Sequence, residues 1–129
     1  MPMSWLRRLL GAGAPRTVDR AAVLNDGLAL AMDWGEGWLA PIQDRLRERH
    51  PRLSKAELDG FDADCREAMR FGHETVHALV RQSGKNVDPA AFAASFGARH
   101  PWATAENTAR LFNQGLYYAW KTGGPANDR

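Results

Sequence analysis

The sequence predicts an all-α protein, built as a small irregular or orthogonal bundle of about four main helices plus short helical pieces. Three observations support this fold class. No segment alternates apolar and polar residues between turn signals, so we predict no strand. Alanine is abundant and β-branched residues are scarce, which favours helix. In the longest segment without turn signals, apolar residues recur every three or four positions, which is the spacing of a helix face.

The N-terminal segment, residues 1–16, is predicted to form a short amphipathic turn followed by a linker rich in Gly, Ala and Pro. A second interpretation makes residues 3–10 a weak membrane-surface or partner-docking segment. Arg7 and Arg8 interrupt the apolar run that a secretory signal needs. No segment approaches the roughly 18 apolar residues of a transmembrane span. The apolar side chains of the turn are Trp5, Leu6, Leu9 and Leu10.

Two helices are predicted before residue 50. The first runs through Met32, with Thr17 as its candidate N-cap. Two glycines lie close together within residues 33–37. Because glycines are unfavourable in a helix interior, we expect the first helix to end there. Pro41 suits the first turn of a second, short helix that runs to about Arg49.

The clearest helix is predicted from Lys55 to Gln82. Ser54 and Glu57 form a capping box, in which each side chain accepts a hydrogen bond from a backbone N–H that the helix leaves unpaired. Gly72 lies in the apolar stripe and permits close approach of another helix. Cys65, the single cysteine of the chain, lies on the stripe, so we interpret this residue as a buried small apolar side chain. The stripe consists of Leu58, Phe61, Cys65, Met69, Gly72, Val76 and Leu79.

Two further helices complete the domain. Asp88 is a candidate N-cap and Pro89 suits the first helical position, so a short helix begins there and has Gly97 as its stop. The last helix is predicted over residues 104–121. Residues 122–129 form a polar tail with Gly and Pro, which we expect to be disordered.

A short pattern occurs twice. Arg49–Pro51 and Arg99–Pro101 both read Arg-His-Pro, and a hydroxyl residue follows three positions later, Ser54 in one case and Thr104 in the other. One interpretation is a duplicated helix-turn-helix unit. The other is that His-Pro simply suits helix boundaries, since proline disfavours helical geometry in the preceding residue.

Composition narrows the class of protein. A chain of 129 residues has room for one core, and we place the single helical domain at residues 17–121. A net charge of +2 gives no strong nucleic-acid signal. One cysteine excludes an intramolecular disulfide, which fits a cytoplasmic location. The excess of arginine over lysine and the high alanine content indicate a GC-rich, bacterial genome.

One motif points to metal chemistry. His73-Glu74-x-x-His77 resembles the signature of the zincin metallopeptidases. On a helix, histidines four residues apart lie on one side and can bind the same Zn²⁺, while the glutamate activates the metal-bound water. This interpretation makes the protein a zinc-dependent hydrolase or a zinc-binding protein, with Glu74 catalytic, His73 and His77 as ligands and Glu106 as a candidate third ligand.

The helical wheel favours another interpretation of this motif. With Cys65 at zero, His73 falls at about 80°, His77 at about 120° and Glu74 at about 180°, away from the apolar stripe. Glu74 also follows Arg70 by four residues, the spacing of a surface ion pair. No strand is predicted beside this helix, whereas the zincins place theirs against a sheet. We therefore prefer a solvated or boundary histidine pair, with no cofactor.

The aromatic residues of the C-terminal part suggest a binding role instead. Trp102, Tyr117, Tyr118 and Trp120 are candidate partner-binding residues, because Trp and Tyr contribute most to interface energies. The alternative is that they fill a thin core. A basic patch within residues 45–52 is interpreted as a solvated helix end. The preferred prediction is a non-enzymatic interaction or self-association module whose partner is another protein or a second copy.

Overall fold

The computed structural model describes residues 18–33, 40–84 and 86–121, and every regular element within these ranges is α-helical. The all-α prediction is confirmed. The predicted N-terminal turn, most of the predicted stop at residues 33–37, and the C-terminal tail lie outside the described residues. No described helix is long and apolar enough to cross a membrane. The five helices are α1 (Arg20–Ala31), α2 (Gln43–Arg49), α3 (Lys55–Ser83), α4 (Pro89–Arg99) and α5 (Ala105–Lys121).

Helix α3 is the centre of the fold and contacts the other four helices. The long helices α1 and α5 pack against it, and the short helices α2 and α4 each lead into a long one. The largest side chains that are fully buried come from all five helices. They include Leu28, Leu46, Leu58, Phe92, Phe96 and Leu111.

The first two helices begin later than predicted. Asp19, not Thr17, caps α1: its Oδ1 accepts a hydrogen bond from the Ala22 N–H at 3.1 Å. The N-cap of α2 is Ile42, so Pro41 precedes the helix instead of lying in its first turn. At α1 a local carboxylate cap sets the start, whereas at α2 the N–H of Ile42 donates to Asp62 Oδ1 of α3 at 3.1 Å.

The capping box of α3 is confirmed. Ser54 Oγ accepts from the Glu57 N–H at 3.1 Å, and Glu57 Oε1 accepts from the Ser54 N–H at 2.8 Å. The helix ends at Gly84, whose φ of 63° belongs to the left-handed region that favours glycine. Cys65 is fully buried as predicted, and burial raises the pKa of its thiol to about 12. Leu79 is only partly buried at the edge of the core.

Helix α4 continues past its predicted end. It runs to Arg99, and Gly97 lies inside its last turn. The buried ring of Phe96 anchors this turn. Arg99 adds an ion pair with Glu67 at 2.9 Å and lies 4.7 Å from the centre of the Phe71 ring. Contacts with α3 therefore outweigh the weak helix propensity of glycine.

The two Arg-His-Pro segments have the same backbone structure. The first corner is defined as residues 49–54 and the second as residues 99–104. The φ and ψ angles are −134° and 72° at His50, and −126° and 69° at His100. In each corner the N–H three residues later donates to the histidine carbonyl, at 3.2 Å and 3.1 Å respectively.

Similarity between the two halves extends beyond the corners. Several residues 50 positions apart, such as Leu46 and Phe96, are both buried on the helices before and after each corner. The fold therefore repeats a helix–corner–helix arrangement, first as α2, the first corner and α3, and then as α4, the second corner and α5. The corresponding buried pairs are Ile42 and Phe92, Leu46 and Phe96, Phe61 and Leu111, Cys65 and Gly115, and Met69 and Ala119.

Candidate functional site

An open groove of about 580 Å³ runs along one side of α3. All of the described lining residues belong to α3. They lie on one face of the helix because most of them are three or four positions apart. The groove contains all three residues of the His-Glu-x-x-His motif and is bordered by arginines. The lining residues are Arg66, Met69, Arg70, His73, Glu74, His77 and Arg81.

His73 lies at the inner edge of the groove and connects three helices. Its Nε2 lies 3.0 Å from Oε1 of Gln114, and since an amide oxygen only accepts, His73 donates. The Nε2 of the buried Gln114 donates in turn to the carbonyl of Met32 at 3.0 Å. Burial lowers the pKa of His73, the Gln114 hydrogen bond opposes this effect, and nearby His77 adds to it.

The other two motif residues face outward to different degrees. His77 is half-buried, and its Nδ1 donates to the carbonyl of His73 at 2.8 Å. The Glu74 side chain is 63% exposed and forms the predicted ion pair with Arg70 at 3.2 Å. The motif therefore consists of one histidine fixed by the core, one fixed by its own helix, and a glutamate held by a surface arginine.

The structure does not bring the predicted third zinc ligand to the histidines. Glu106 is exposed in the first turn of α5. Gln114, which meets His73, lies eight residues further along that helix, about 12 Å along the axis. Within residues 18–33, 40–84 and 86–121, no three His, Cys, Asp or Glu side chains are grouped so that they could hold a metal. Coordination by both histidines would require His73 to release Gln114 or to bind through Nδ1.

The aromatic end of α5 adjoins the groove. The ring of Tyr118 is half-buried and its centre lies 5.6 Å from that of His73. Tyr117 packs edge-on against Tyr118 with ring centres 5.2 Å apart. Lys121 donates to the Tyr117 hydroxyl at 3.1 Å and lies over its ring.

The four predicted partner-binding residues have different environments. Tyr117 and Trp120 are 46% and 41% exposed, and no other large apolar side chain among the described residues is classed as exposed. Trp102 is distinct, because it packs against the core and edge-on against His100, with ring centres 5.7 Å apart. The structure thus separates Trp102 from the other three.

Sequence reasoning missed the polar residues that join the helices. Gln114 and Asn107 are buried on the apolar side of α5, seven residues apart and so on nearly the same side of the helix. Asn107 Nδ2 donates to Oδ1 of Asn25 in α1 at 3.0 Å. A polar amide recurring at helical spacing within an apolar stripe was the available signal, since buried polar groups need partners.

Comparison with known proteins adds no relative, because no protein-family model, curated protein or solved structure matches this chain.

Proposed function

We propose that the protein is a non-catalytic interaction module that binds a protein partner through one continuous surface. This surface, termed the α3–α5 surface, combines the α3 groove with Tyr117, Tyr118 and Trp120. The observation that carries the proposal is the exposure of Tyr117, which packs on the groove-side ring of Tyr118, together with that of Trp120 on the same helix, in a chain that otherwise covers its large apolar side chains in the described regions.

The composition of the surface suits protein recognition. Arg, Tyr and Trp are the residue types that contribute most to interface affinity, and all three occur here. The arginine side chains are accessible: Arg66 and Arg70 are 47% and 64% exposed. His73 holds the inner edge in place through Gln114, so the surface is supported by the core.

Site-specific photocrosslinking tests the proposal. A photoreactive phenylalanine analogue replaces Tyr117 or Arg81 at the surface, and replaces the exposed Ala94 of α4 as a control. In cells of the native source, we expect the two surface positions to crosslink to the same protein and position 94 to give no such product. Trp120→Ser should remove most of that product, because Trp is among the residue types that dominate interface energies. Equal crosslinking from all three positions, or none from the surface, would contradict the proposal.

The competing proposal is the zinc-dependent hydrolase or zinc-binding protein. It is supported by the position of His73, Glu74 and His77 along one groove. Metal analysis of protein purified without a histidine tag decides between the two. An interaction module carries no stoichiometric zinc after dialysis, and His77→Ala costs within about 0.5 kcal/mol of stability. One equivalent of zinc that His73→Ala releases, with hydrolysis lost in Glu74→Gln, would favour the hydrolase.

A further inference from the structure

We propose that the second corner is an acid-sensitive element: protonation of His100 opens this corner together with the last turn of α4, while the first corner stays closed. The inference does not depend on the proposed function, because no residue of the α3–α5 surface takes part in it. It concerns a buried histidine whose surroundings differ from those of its counterpart in the first corner.

The ring of His100 is enclosed by aromatic side chains. It stacks on Phe96 with ring centres 4.7 Å apart, and the rings of Phe71 and Trp102 lie 5.5 Å and 5.7 Å away. Only 7% of the residue is exposed, and its Nδ1 is buried without a hydrogen-bond partner among the described residues. Because a buried charge without a partner is costly, these surroundings favour the neutral ring.

The charged groups near His100 do not offset this cost. Arg99, the preceding residue, adds a positive charge. Two carboxylates of α3, Glu67 and Asp64, favour the protonated ring, but each is already paired with an arginine. Glu67 pairs with Arg99 at 2.9 Å, and Asp64 pairs with Arg20 at 2.8 Å. Burial and then Arg99 therefore lower the pKa of His100, and the carboxylates oppose this only in part.

The equivalent histidine of the first corner has a different environment. The side chain of His50 is 25% exposed, and its Nε2 lies 2.7 Å from a carboxylate oxygen of Asp26. Protonation of His50 therefore places a positive charge beside a carboxylate and within reach of water. Because the two corners share their backbone conformation, we expect their different responses to acid to come from these side chains.

The His100 ring lies where α4 joins the second corner, so its movement affects both. The N–H of His100 donates to the carbonyl of Phe96 at 2.8 Å, and the carbonyl of His100 accepts from the Ala103 N–H at 3.1 Å. The Thr104 N–H donates to Oδ1 of Asn25 at 2.9 Å. A protonated ring that leaves three aromatic neighbours for water disturbs these hydrogen bonds, and we expect the corner and the last turn of α4 to open together.

Amide hydrogen exchange of the full chain, followed by NMR between about pH 7 and pH 5, tests the proposal. The reporters are the N–H groups of Ala103 and Thr104 in the second corner, and of Leu53 and Ser54 in the first. After correction for intrinsic exchange rates, protection of the second corner should fall by up to about tenfold per pH unit below 6.5, because an open corner binds up to one more proton at His100. Protection of the first corner should fall no more than about threefold over the whole range, because the environment of His50 accommodates a proton.

Matched variants separate the two histidines. His100→Phe keeps a ring among the aromatic side chains but takes up no proton, so protection of the second corner should stay within about twofold between pH 7 and pH 5. His50→Gln is the control, and the second corner should keep its pH dependence in this variant. The slope against pH is compared, not the absolute protection, so a modest loss of stability in either variant does not affect the result.

The titration of the His100 ring provides a second measurement in the unaltered protein. Its ring proton signals should titrate below the ordinary pKa of 6.5, over the same pH range in which the second corner loses protection. Three results would overturn the proposal: an equal loss of protection in both corners, a pH dependence that His100→Phe leaves unchanged, or a ring that titrates at 6.5 while the second corner stays protected.

Discussion

The two corners have the same backbone but are held in different ways. In the first, the N–H of Ser54 donates to Glu57, three residues further along the same helix, at 2.8 Å. In the second, the corresponding N–H of Thr104 donates to Oδ1 of Asn25, which lies 79 residues earlier in the chain, at 2.9 Å. The residue equivalent to Glu57 is Asn107, whose Nδ2 also donates to Oδ1 of Asn25, at 3.0 Å.

This difference separates local from tertiary stabilisation. A capping box closes with residues that are already neighbours, so the first corner contains its own hydrogen-bond partners. The second corner lacks a glutamate at the matching position and depends on α1 being docked. Asn25 also donates to the carbonyl of Trp102 at 2.8 Å, so a single side chain of α1 satisfies several polar groups of this corner.

Helix α1 holds both corners with consecutive residues. Asp26, next to Asn25, lies 2.7 Å from Nε2 of His50 in the first corner. Among the described residues, no carboxylate contacts the His100 ring in the same way, and His100 is buried between aromatic rings, 4.7 Å from Phe96 and 5.5 Å from Phe71 between ring centres. Burial lowers the pKa of His100, and neighbouring Arg99 adds to this effect. The two corners therefore have the same backbone conformation but different side-chain contacts.

The largest effect is expected from Asn25→Ala. It removes the donor to the Trp102 carbonyl and an acceptor of Asn107 Nδ2, both partly buried, as well as the acceptor of the more exposed Thr104 N–H. A buried group left unpaired costs about 1–3 kcal/mol. We expect a loss of about 2–3 kcal/mol in the free energy of unfolding, measured by urea denaturation. Asp26→Ala, which affects the locally capped corner, should cost less. An equal loss in both variants would mean that the second corner does not depend on α1.

The helix crossings provide the next test. A Cβ added at Gly115 would lie 2.7 Å from Cγ2 of Val76, whose branched side chain adjusts poorly. Gly115→Ala should therefore destabilise the protein by about 1–3 kcal/mol. Gly60→Ala is the matched control, since no atom lies within 4 Å of its added Cβ. It should stabilise α3 by about 0.5–1 kcal/mol. Thermal denaturation measures both, and a neutral Gly115→Ala would show that the α3–α5 crossing is loosely packed.

A smaller effect is expected at the caps. Ser54→Ala removes the acceptor of the Glu57 N–H and should cost about 0.5–2 kcal/mol. Thr104→Ala removes the matching acceptor of the Asn107 N–H, which lies 3.1 Å from Thr104 Oγ1, and should cost a similar amount. Double-mutant cycles with Asn107→Ala and Glu57→Ala then distinguish the corners, because the Asn107 side chain donates to Asn25 and should couple to it, whereas the equivalent Glu57 should not. Coupling of Glu57 to Asn25 would refute the distinction.

The smallest effect concerns pH. His100 has an ordinary pKa of 6.5 when unfolded and a lower pKa when folded, so the unfolded chain binds more protons as the pH falls. Stability should therefore decrease as the pH falls through 6.5 towards the folded value. His100→Phe keeps a ring among the aromatic side chains and should make the pH dependence shallower. His73, whose pKa is also lowered, should account for part of the remainder. A dependence that is unchanged in His100→Phe would contradict this assignment.

Much of the fold was predictable because its signals are local. The capping box at Ser54, the Asp88-Pro89 start of α4 and the apolar stripe of α3 each depend on residues within a few positions of one another. The Arg70–Glu74 ion pair has the same origin. Side chains and backbone groups that are neighbours in sequence meet whenever the helix forms, so their spacing alone predicts the contact.

Local spacing therefore predicted that the chain is helical and where α3 begins, whereas the contacts of its isolated polar residues depend on how the helices pack. Arg99 extends α4 past Gly97 because Glu67, 32 positions away, lies beside it. The motif histidine His73 meets Gln114, 41 positions away, in place of the predicted Glu106. A polar side chain on or beside an apolar face needs a partner once it is buried, but which group meets it depends on how the helices pack.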